Sequence, residues 1–203
     1  MKNVRKIITV ILICALSLVV TACSSSKAYT HGTSSGTTYT SSFLGVKAEL
    51  GSGWTLSDDT SLAKMNGISD MTTGSTKSSF EKNGIVLDMY AVRQLDNSNI
   101  NIVVEDVKKT YGKSLSEDEY YKKGLETVKT QMSAIDSSAQ ITEGKTDFLG
   151  KSTRCFNISV NIGGVNIYER QVPIFRGDYV SVITFSSLSS SELDSLVGVF
   201  NNI

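Results

Sequence analysis

The side chains of this chain that could do nucleophilic or acid–base chemistry include a serine in a suggestive setting. Gly32-Thr33-Ser34-Ser35-Gly36 matches the nucleophile-elbow pattern G-x-S-x-G letter for letter. An elbow holds its serine at a strained turn between a strand and a helix, beside an oxyanion hole. Here the pattern lies in a stretch of serine, threonine and glycine that predicts neither element, so we interpret the match as coincidental.

The only histidine, His31, lies in the same polar stretch. Because we expect this stretch to be disordered, the sequence predicts no histidine-based triad, metal site or acid–base catalysis within the folded domain. Cys155 follows Arg154 in a predicted strand, where alternation puts the two side chains on opposite faces. A reactive thiol needs a neighbouring base or helix terminus. We therefore expect Cys155 to be a small packed residue, with intermolecular disulfide or redox chemistry as the alternative.

Clustered carboxylates are the remaining candidates for catalysis. Asp58-Asp59 and Glu117-Asp118-Glu119 both fall at predicted helix starts, where negative charge complements the helix dipole. Capping accounts for both clusters. The sequence contains no calcium-loop spacing and no phosphate- or dinucleotide-binding glycine pattern, so we expect neither a metal nor a cofactor.

The beginning of the chain carries the most specific signal. A basic segment, residues 1–6, precedes a short apolar run over residues 7–20, which is typical of an export signal and too short for a membrane span. Val20-Thr21-Ala22-Cys23 resembles the lipobox cut by lipoprotein signal peptidase. The resemblance predicts a signal peptide over residues 1–22 and a diacylglyceryl thioether on Cys23. The chain is then anchored on the extracytoplasmic face of the cell membrane. The alternative is an ordinary secretory signal with an incidental cysteine.

The segment after Cys23 is predicted to be a tether. Fourteen of the 19 residues from Ser24 to Ser42 are serine, threonine or glycine, a composition typical of flexible linkers. A single domain is expected over residues 43–203. Loss of the signal's three basic residues leaves 17 basic and 20 acidic residues, a net charge of about −3. Such a surface offers no basic stripe for phosphates, which argues against nucleic acid as a partner.

Hydrophobic periodicity predicts an α+β domain with a largely antiparallel central sheet flanked by helices. Ser116 and Glu119 form a predicted capping box that opens a helix ending near Ile135, and a second box is expected at Ser189 and Glu192. A short helix is expected over residues 61–66, capped by Asp58 or Asp59. Strands are predicted over residues 43–50, 54–56, 84–93, 99–107, 141–149, 153–162, 165–174 and 179–185.

Several of these segments resemble exported lipoproteins of gut-type Firmicutes that carry a PsbP-like (Mog-type) domain. The resemblance rests on Trp54-Thr55-Leu56-Ser57-Asp58-Asp59, on residues 62–67, on Met89-Tyr90-Ala91 and on Asn99-Ile100-Asn101-Ile102-Val103. It implies an α/β/α sandwich over residues 43–203. Members of that fold generally act as binding or assembly modules, and no functional residue is carried over.

The resulting functional expectation is a membrane-tethered, non-enzymatic binding or assembly module. Its partner would be an envelope protein or a small ligand. Trp54, Tyr90 and Tyr168 are weak candidates for ligand binding, since aromatic side chains favour recognition; a role in the core is the alternative for each. The competing functional class is a carboxylate- or serine-dependent hydrolase of the cell envelope.

Overall fold

The computed structural model describes residues 29–67 and 80–203. The predicted signal peptide (residues 1–22), the predicted lipidation site Cys23 and residues 24–28 of the predicted tether lie outside these ranges. No helix in the described ranges is long and apolar enough to cross a membrane.

The strands and helices follow the predicted order closely. The strands are β1 (Thr33–Ser35), β2 (Thr38–Ser41), β3 (Val46–Glu49), β4 (Trp54–Leu56), β5 (Ile85–Arg93), β6 (Asn99–Asp106), β7 (Gln140–Phe148), β8 (Lys151–Ile162), β9 (Val165–Arg176), β10 (Tyr179–Ser187) and β11 (Phe200–Asn202). The helices are α1 (Asp59–Met65), α2 (Val107–Tyr111), α3 (Glu117–Ile135) and α4 (Leu193–Val197).

A seven-stranded sheet in the order β4-β5-β6-β10-β9-β8-β7 forms the centre of the domain. All neighbouring strands in it are antiparallel, as hairpin turns at Gly163-Gly164 and Gly177-Asp178 predict. Pro173 lies in β9 beyond the last residue paired with β8. At Pro173, β9 has no partner strand on the β8 side, so the N–H that proline lacks is not needed for a hydrogen bond of the sheet.

Helix α3 covers one face of this sheet near β7 and β8. The side chain of Ser116 accepts a hydrogen bond from the backbone of Glu119, and the Glu119 side chain accepts one from the backbone of Ser116, which confirms the capping box. Val128 and Met132 pack on Ile158 of β8. The helix thus buries Tyr121, Val128 and Met132, whereas Leu125 is half-buried and Ile135 is exposed.

The opposite face packs against a second layer, made by helix α4 and a four-stranded sheet in the order β1-β2-β3-β11. The main core lies between the two layers and includes Ala48, Ile102, Phe185 and Leu196. The predicted α+β class, with a largely antiparallel central sheet, is confirmed. The four-stranded sheet is an addition that the sequence patterns did not predict.

The prediction of a tether over Ser24–Ser42 is wrong from Tyr29 onward. β1 and β2 fall inside the predicted tether, and β2 pairs with β3. Tyr39 is fully buried in the main core, and burial of such a large side chain helps to offset the entropy lost on ordering the strand. The folded domain therefore begins before the predicted boundary at Phe43.

The second predicted capping box is also wrong. Ser189 makes no side-chain capping hydrogen bond, and a 3₁₀ turn (Ser190–Glu192) precedes α4. The Glu192 carboxylate instead accepts a hydrogen bond from Arg93 at 2.9 Å. An ion pair with a distant strand has replaced the local cap.

Candidate functional site

A cleft of about 500 Å³ opens between the β7–β8 turn, helix α4 and strand β11. Its apolar part comes from Val197 and Phe200, which are buried in the main core, and from Leu149, which packs against that core. The polar residues Asp147, Asp194, Asn201 and Asn202 also line it. Three of the ten lining residues are apolar, so the lining is more polar than that of most small-molecule sites.

One wall of the cleft is an open strand edge. In the described part of the chain, β11 pairs only with β3. Val199 accepts a backbone hydrogen bond from Glu49, and Ile203 donates one to the residues just before β3, both at 3.3 Å. Hydrogen-bonding direction alternates along an antiparallel strand. The N–H and C=O groups of Phe200 and Asn202 therefore point away from β3. Phe200 is buried and Asn202 is exposed, so the accessible backbone groups of this edge are those of Asn202.

The β7–β8 turn forms another wall. Leu149 and Gly150 have φ values of 56° and 75°, the left-handed conformations that a two-residue type I′ turn requires. For leucine this conformation is unfavourable by on the order of 1 kcal/mol. The half-buried Leu149 side chain packs against the main core, which offsets that strain and holds an apolar group in the cleft wall.

Of the two acidic residues that line the cleft, Asp194 is held by Arg170. Arg170 ion-pairs with Asp194 and donates hydrogen bonds to Thr146 Oγ1 at 3.1 Å and to Asn157 Oδ1 at 3.0 Å. Three partners on separate elements fix its guanidinium. Asp147 is exposed, but alternation along β7 directs its side chain to the α3 face of the sheet, whereas Thr146 and Phe148 point toward α4 and β11.

A second polar cluster lies around the buried Asp88, in β5, where the pairing register with β6 shifts between Leu87 and Met89. The hydroxyls of Tyr29 and Tyr39 donate to its two carboxylate oxygens, each at 2.5 Å. The backbone N–H of Gly32 donates at 3.1 Å, and His31 Nδ1 ion-pairs with the carboxylate. Asp88 thus holds the residues that precede β1 against the central sheet.

The ionisation of this cluster follows from its contacts. Burial acts to raise the pKa of Asp88, but the hydrogen bond and charge of His31, with both tyrosine hydroxyls, outweigh it and lower the pKa. Burial acts to lower the pKa of His31, and its hydrogen bond to Asp88 and the charge of that carboxylate outweigh burial and raise it. Burial and the neighbouring carboxylate raise the pKa of Tyr39. The cluster is therefore an anionic Asp88 surrounded by donors.

The expectation that His31 has no fixed geometry is wrong, because Asp88 holds its ring. The ring nitrogen Nδ1 also lies 2.9 Å from the Tyr29 hydroxyl. Among the described residues, no serine hydroxyl and no cysteine thiol hydrogen-bonds to His31. Asp88 and His31 correspond to the acid and the histidine of a catalytic triad, but no described nucleophile contacts them. The two residues instead attach the N-terminal residues to the central sheet.

No protein-family model matches the chain, and no curated protein matches it in sequence. Solved structures do resemble it. Cyanobacterial PsbP from Synechocystis sp. PCC 6803 aligns over 91% of this chain and 99% of its own, with 12% identity and a TM-score of 0.46. LpqN, described as involved in cell envelope biogenesis of Mycobacterium tuberculosis, aligns over 76% of each chain, with 12% identity and a TM-score of 0.39.

A Pseudomonas aeruginosa protein of unknown function aligns over 48% of this chain and 63% of its own, with 16% identity and a TM-score of 0.34. A PsbP protein is thus among the similar structures. At these identities the similarity concerns the fold alone, and no residue role is transferred.

The three aromatic candidates do not form one site. Trp54 and Tyr168 pack against the main core, four strand positions apart, which is about 19 Å at the usual spacing. Trp54 also lies under the guanidinium of Arg93, 5.7 Å from the ring centre. Tyr90 follows the core residue Met89 in β5 and so points to the other face of the sheet. None of the three lines the cleft.

The remaining chemical candidates are placed in structural roles. Cys155 is a free, fully buried cysteine in the main core, and burial raises the pKa of its thiol. Ser34 lies in β1, and the turn after it leads into β2 rather than a helix, so the G-x-S-x-G pattern does not form a nucleophile elbow. No group of three or more His, Cys, Asp or Glu in the described ranges could hold a metal ion.

Neither the Asp88 cluster nor the cleft was predicted from the sequence. Asp88 stands alone among apolar residues in Ile85-Val86-Leu87-Asp88-Met89, and a lone acid in such a strand indicates a buried partner. That signal was available. The cleft had no comparable signal, because Asp147, Asp194 and Asn202 come from segments that only the fold brings together.

Proposed function

We propose that this protein is a membrane-tethered, extracytoplasmic binding or assembly module without enzymatic activity, and that the cleft beside β11 is its ligand site. The observation that carries the proposal is the combination of apolar side chains and an open strand edge in one cleft. Such a site supplies both burial and hydrogen bonds to a ligand.

Tethering rests on the lipobox-like Val20-Thr21-Ala22-Cys23. The attachment of Tyr29 to Asp88 changes the expected geometry of the tether. Only five residues lie between Cys23 and Tyr29, and the six steps from one Cα to the next span at most about 20 Å when fully extended. A lipidated Cys23 would therefore hold the domain within about 20 Å of the membrane.

A carboxylate-dependent hydrolase is the second candidate function, because Asp147 and Asp194 line the same cleft. Hydrolases of this class use two carboxyl groups in different environments, one as acid and one as base or nucleophile. Asp194 lies in the first turn of α4 and is engaged by Arg170, and alternation along β7 directs Asp147 to the opposite face of the sheet. Binding is therefore the better-supported function.

Site-specific cross-linking in intact membranes tests the proposal. A photo-activated side chain at Asn201, which is exposed and lines the cleft, should form an adduct with a ligand or partner. The same group at the exposed Lys129 on α3 serves as the control position. An adduct at Asn201 that is absent at Lys129 supports a ligand site in the cleft, and equal labelling at both positions contradicts it.

Filling the cleft provides the matched loss-of-function test. A Cβ added at Gly198, which lines the cleft, meets only backbone oxygens at 3.5 and 3.6 Å, so Gly198→Trp is compatible with the fold. A Cβ at Gly51 meets no atom within 4 Å, which makes Gly51→Trp the control. Gly198→Trp should abolish the Asn201 adduct and Gly51→Trp should leave it. Persistence of the adduct in Gly198→Trp would rule out the cleft.

A further inference from the structure

We infer that β7, at the edge of the central sheet, pairs antiparallel with β7 of a second copy of this chain, so that two central sheets join into one. The inference goes beyond the proposed binding function, since it uses neither the cleft nor β11. It follows from three features of β7: its length and exposure, the direction of its free backbone groups, and the signs of the charges along it.

β7 forms the longer of the two edges of the central sheet. The edge at β4 has three residues, and the edge at β7 has nine. Among the described residues, β7 pairs only with β8, and no backbone hydrogen bond reaches it from the other side. Its side chains at Thr142, Glu143, Lys145 and Asp147 are exposed. A long, uncovered edge of this kind offers its backbone groups to a further strand.

The turn after β7 fixes which of its backbone groups are free. Phe148 and Lys151 flank the two-residue turn and are directly paired, so they exchange hydrogen bonds. The pairing of β7 with β8 continues without a register shift, and hydrogen-bonding direction alternates along an antiparallel strand. The residues whose N–H and C=O groups point away from β8 are therefore Ile141, Glu143, Lys145 and Asp147.

The charges along β7 select one register for pairing with a second copy. Two identical antiparallel strands are related by a two-fold axis, and the residue at that axis faces its own copy. An axis at Glu143 or Lys145 would bring like charges together, which is unfavourable. An axis at Gly144 places each Glu143 opposite Lys145 of the second copy and puts no side chain at the axis itself.

The same register uses all the free backbone groups of the strand. With the axis at Gly144, Glu143 lies opposite Lys145 and Ile141 lies opposite Asp147, and each pair occurs twice. Every one of these pairs joins two outward-facing residues, so each forms two hydrogen bonds. The outer pairs contribute backbone bonds only, and the inner pairs add opposite charges. An axis at Thr142 or Thr146 would leave some outward-facing residues beyond the end of the second strand.

The present contacts of the two charged residues favour this pairing. Charged side chains on an edge strand protect it from pairing where like charges would meet. Within one copy, Lys145 lies opposite Arg154, a like charge, and forms no ion pair with another described residue. Glu143 accepts a hydrogen bond from Arg154 at 2.9 Å. In the paired strands, the Glu143 carboxylate would lie between Arg154 of its own copy and Lys145 of the other.

Charge reversal tests the pairing. The full chain, purified from membranes in detergent, should form a dimer at micromolar concentrations in sedimentation equilibrium. Lys145→Glu and Glu143→Lys should each weaken the dimer about tenfold or more, because each creates two pairs of like charges. An equimolar mixture of the two variants should recover association, since every Glu then faces a Lys. Lys64→Glu, the same charge change at an exposed position on α1, is the control and should leave the dimer unchanged.

Lys145→Pro provides a second test. It removes an N–H that points away from β8, a position where an edge strand tolerates proline, and it should abolish the dimer. Its melting temperature reports whether it folds, and the mixture of charge variants tests the same pairing if it does not.

A chain that stays monomeric, or a dimer that Lys145→Glu leaves as strong as the wild type, would overturn the inference. Loss of the dimer in both charge variants without recovery in their mixture would overturn the register centred on Gly144. The Asn201 adduct tests the cleft separately, so the proposed function stands or fails independently of these results.

Discussion

Glu169 is a buried carboxyl group whose removal should stabilise the protein at neutral pH. It lies in β9, is 4% exposed, and has only two long contacts, from Gln171 and Ser186 at 3.4 Å each. Burial, only partly offset by these two contacts, raises its pKa from 4.5 to about 7. The neutral amide of Glu169→Gln has nearly the same shape and can form the same contacts.

The magnitude follows from the linkage between proton binding and folding. Because the folded-state pKa is raised, the native state binds more protons than the unfolded state, and the contribution is most favourable below about pH 4.5. It is lost progressively as the pH rises through about 7. A rise in pKa from 4.5 to about 7 lowers the free energy of unfolding, relative to its value at low pH, by roughly 3 kcal/mol above pH 8. At pH 5 the same rise in pKa lowers it by less than about 1 kcal/mol.

Urea unfolding at pH 5 and at pH 8 measures this difference. The free energy of unfolding of Glu169→Gln should exceed that of the wild type by roughly 3 kcal/mol at pH 8, and by much less at pH 5. Glu126→Gln, on the exposed side of α3, is the matched control and should show no such pH dependence. A variant that is less stable than the wild type at pH 8 would refute the reasoning.

Three other substitutions test the packing of the N-terminal residues and of α3. Asp88→Asn removes one partner of a buried pair and should lower the free energy of unfolding by about 3–5 kcal/mol. Because the pKa of Asp88 is lowered from 3.8, the wild type should also lose stability as the pH falls below about 4. Gly32→Ala puts a Cβ 2.4 Å from the Tyr39 ring, so limited proteolysis should cut near residue 32 faster. Val128→Asp should lower the melting temperature sharply by burying an unpaired charge, and an unchanged value would place that side chain in solvent.

Local patterns predicted the elements that local interactions form. The α3 helix was predictable because Ser116 and Glu119 cap it and its apolar stripe repeats at helical spacing. Most strands of the central sheet were predictable because β-branched runs alternate with glycine turns. These features depend on residues a few positions apart, which periodicity and turn chemistry describe well.

Long-range contacts explain what the patterns missed. The tyrosines that attach the N-terminal residues to Asp88 are 59 and 49 residues away from it in sequence. Composition describes residues 29–42 as a linker, but two tyrosines and one histidine were enough to order them against a buried carboxylate. The cleft depends likewise on the placement of β11 next to α4, for which the sequence holds no local signal.

Hydrogen exchange of single backbone amides tests the central claim most directly. In the free protein, the amide of Asn201, which alternation directs toward Lys47 in β3, should exchange slowly. The amide of Asn202, which faces away from β3, should exchange fast. An Asn202 amide that is already protected in the free protein would contradict an open strand edge at the cleft.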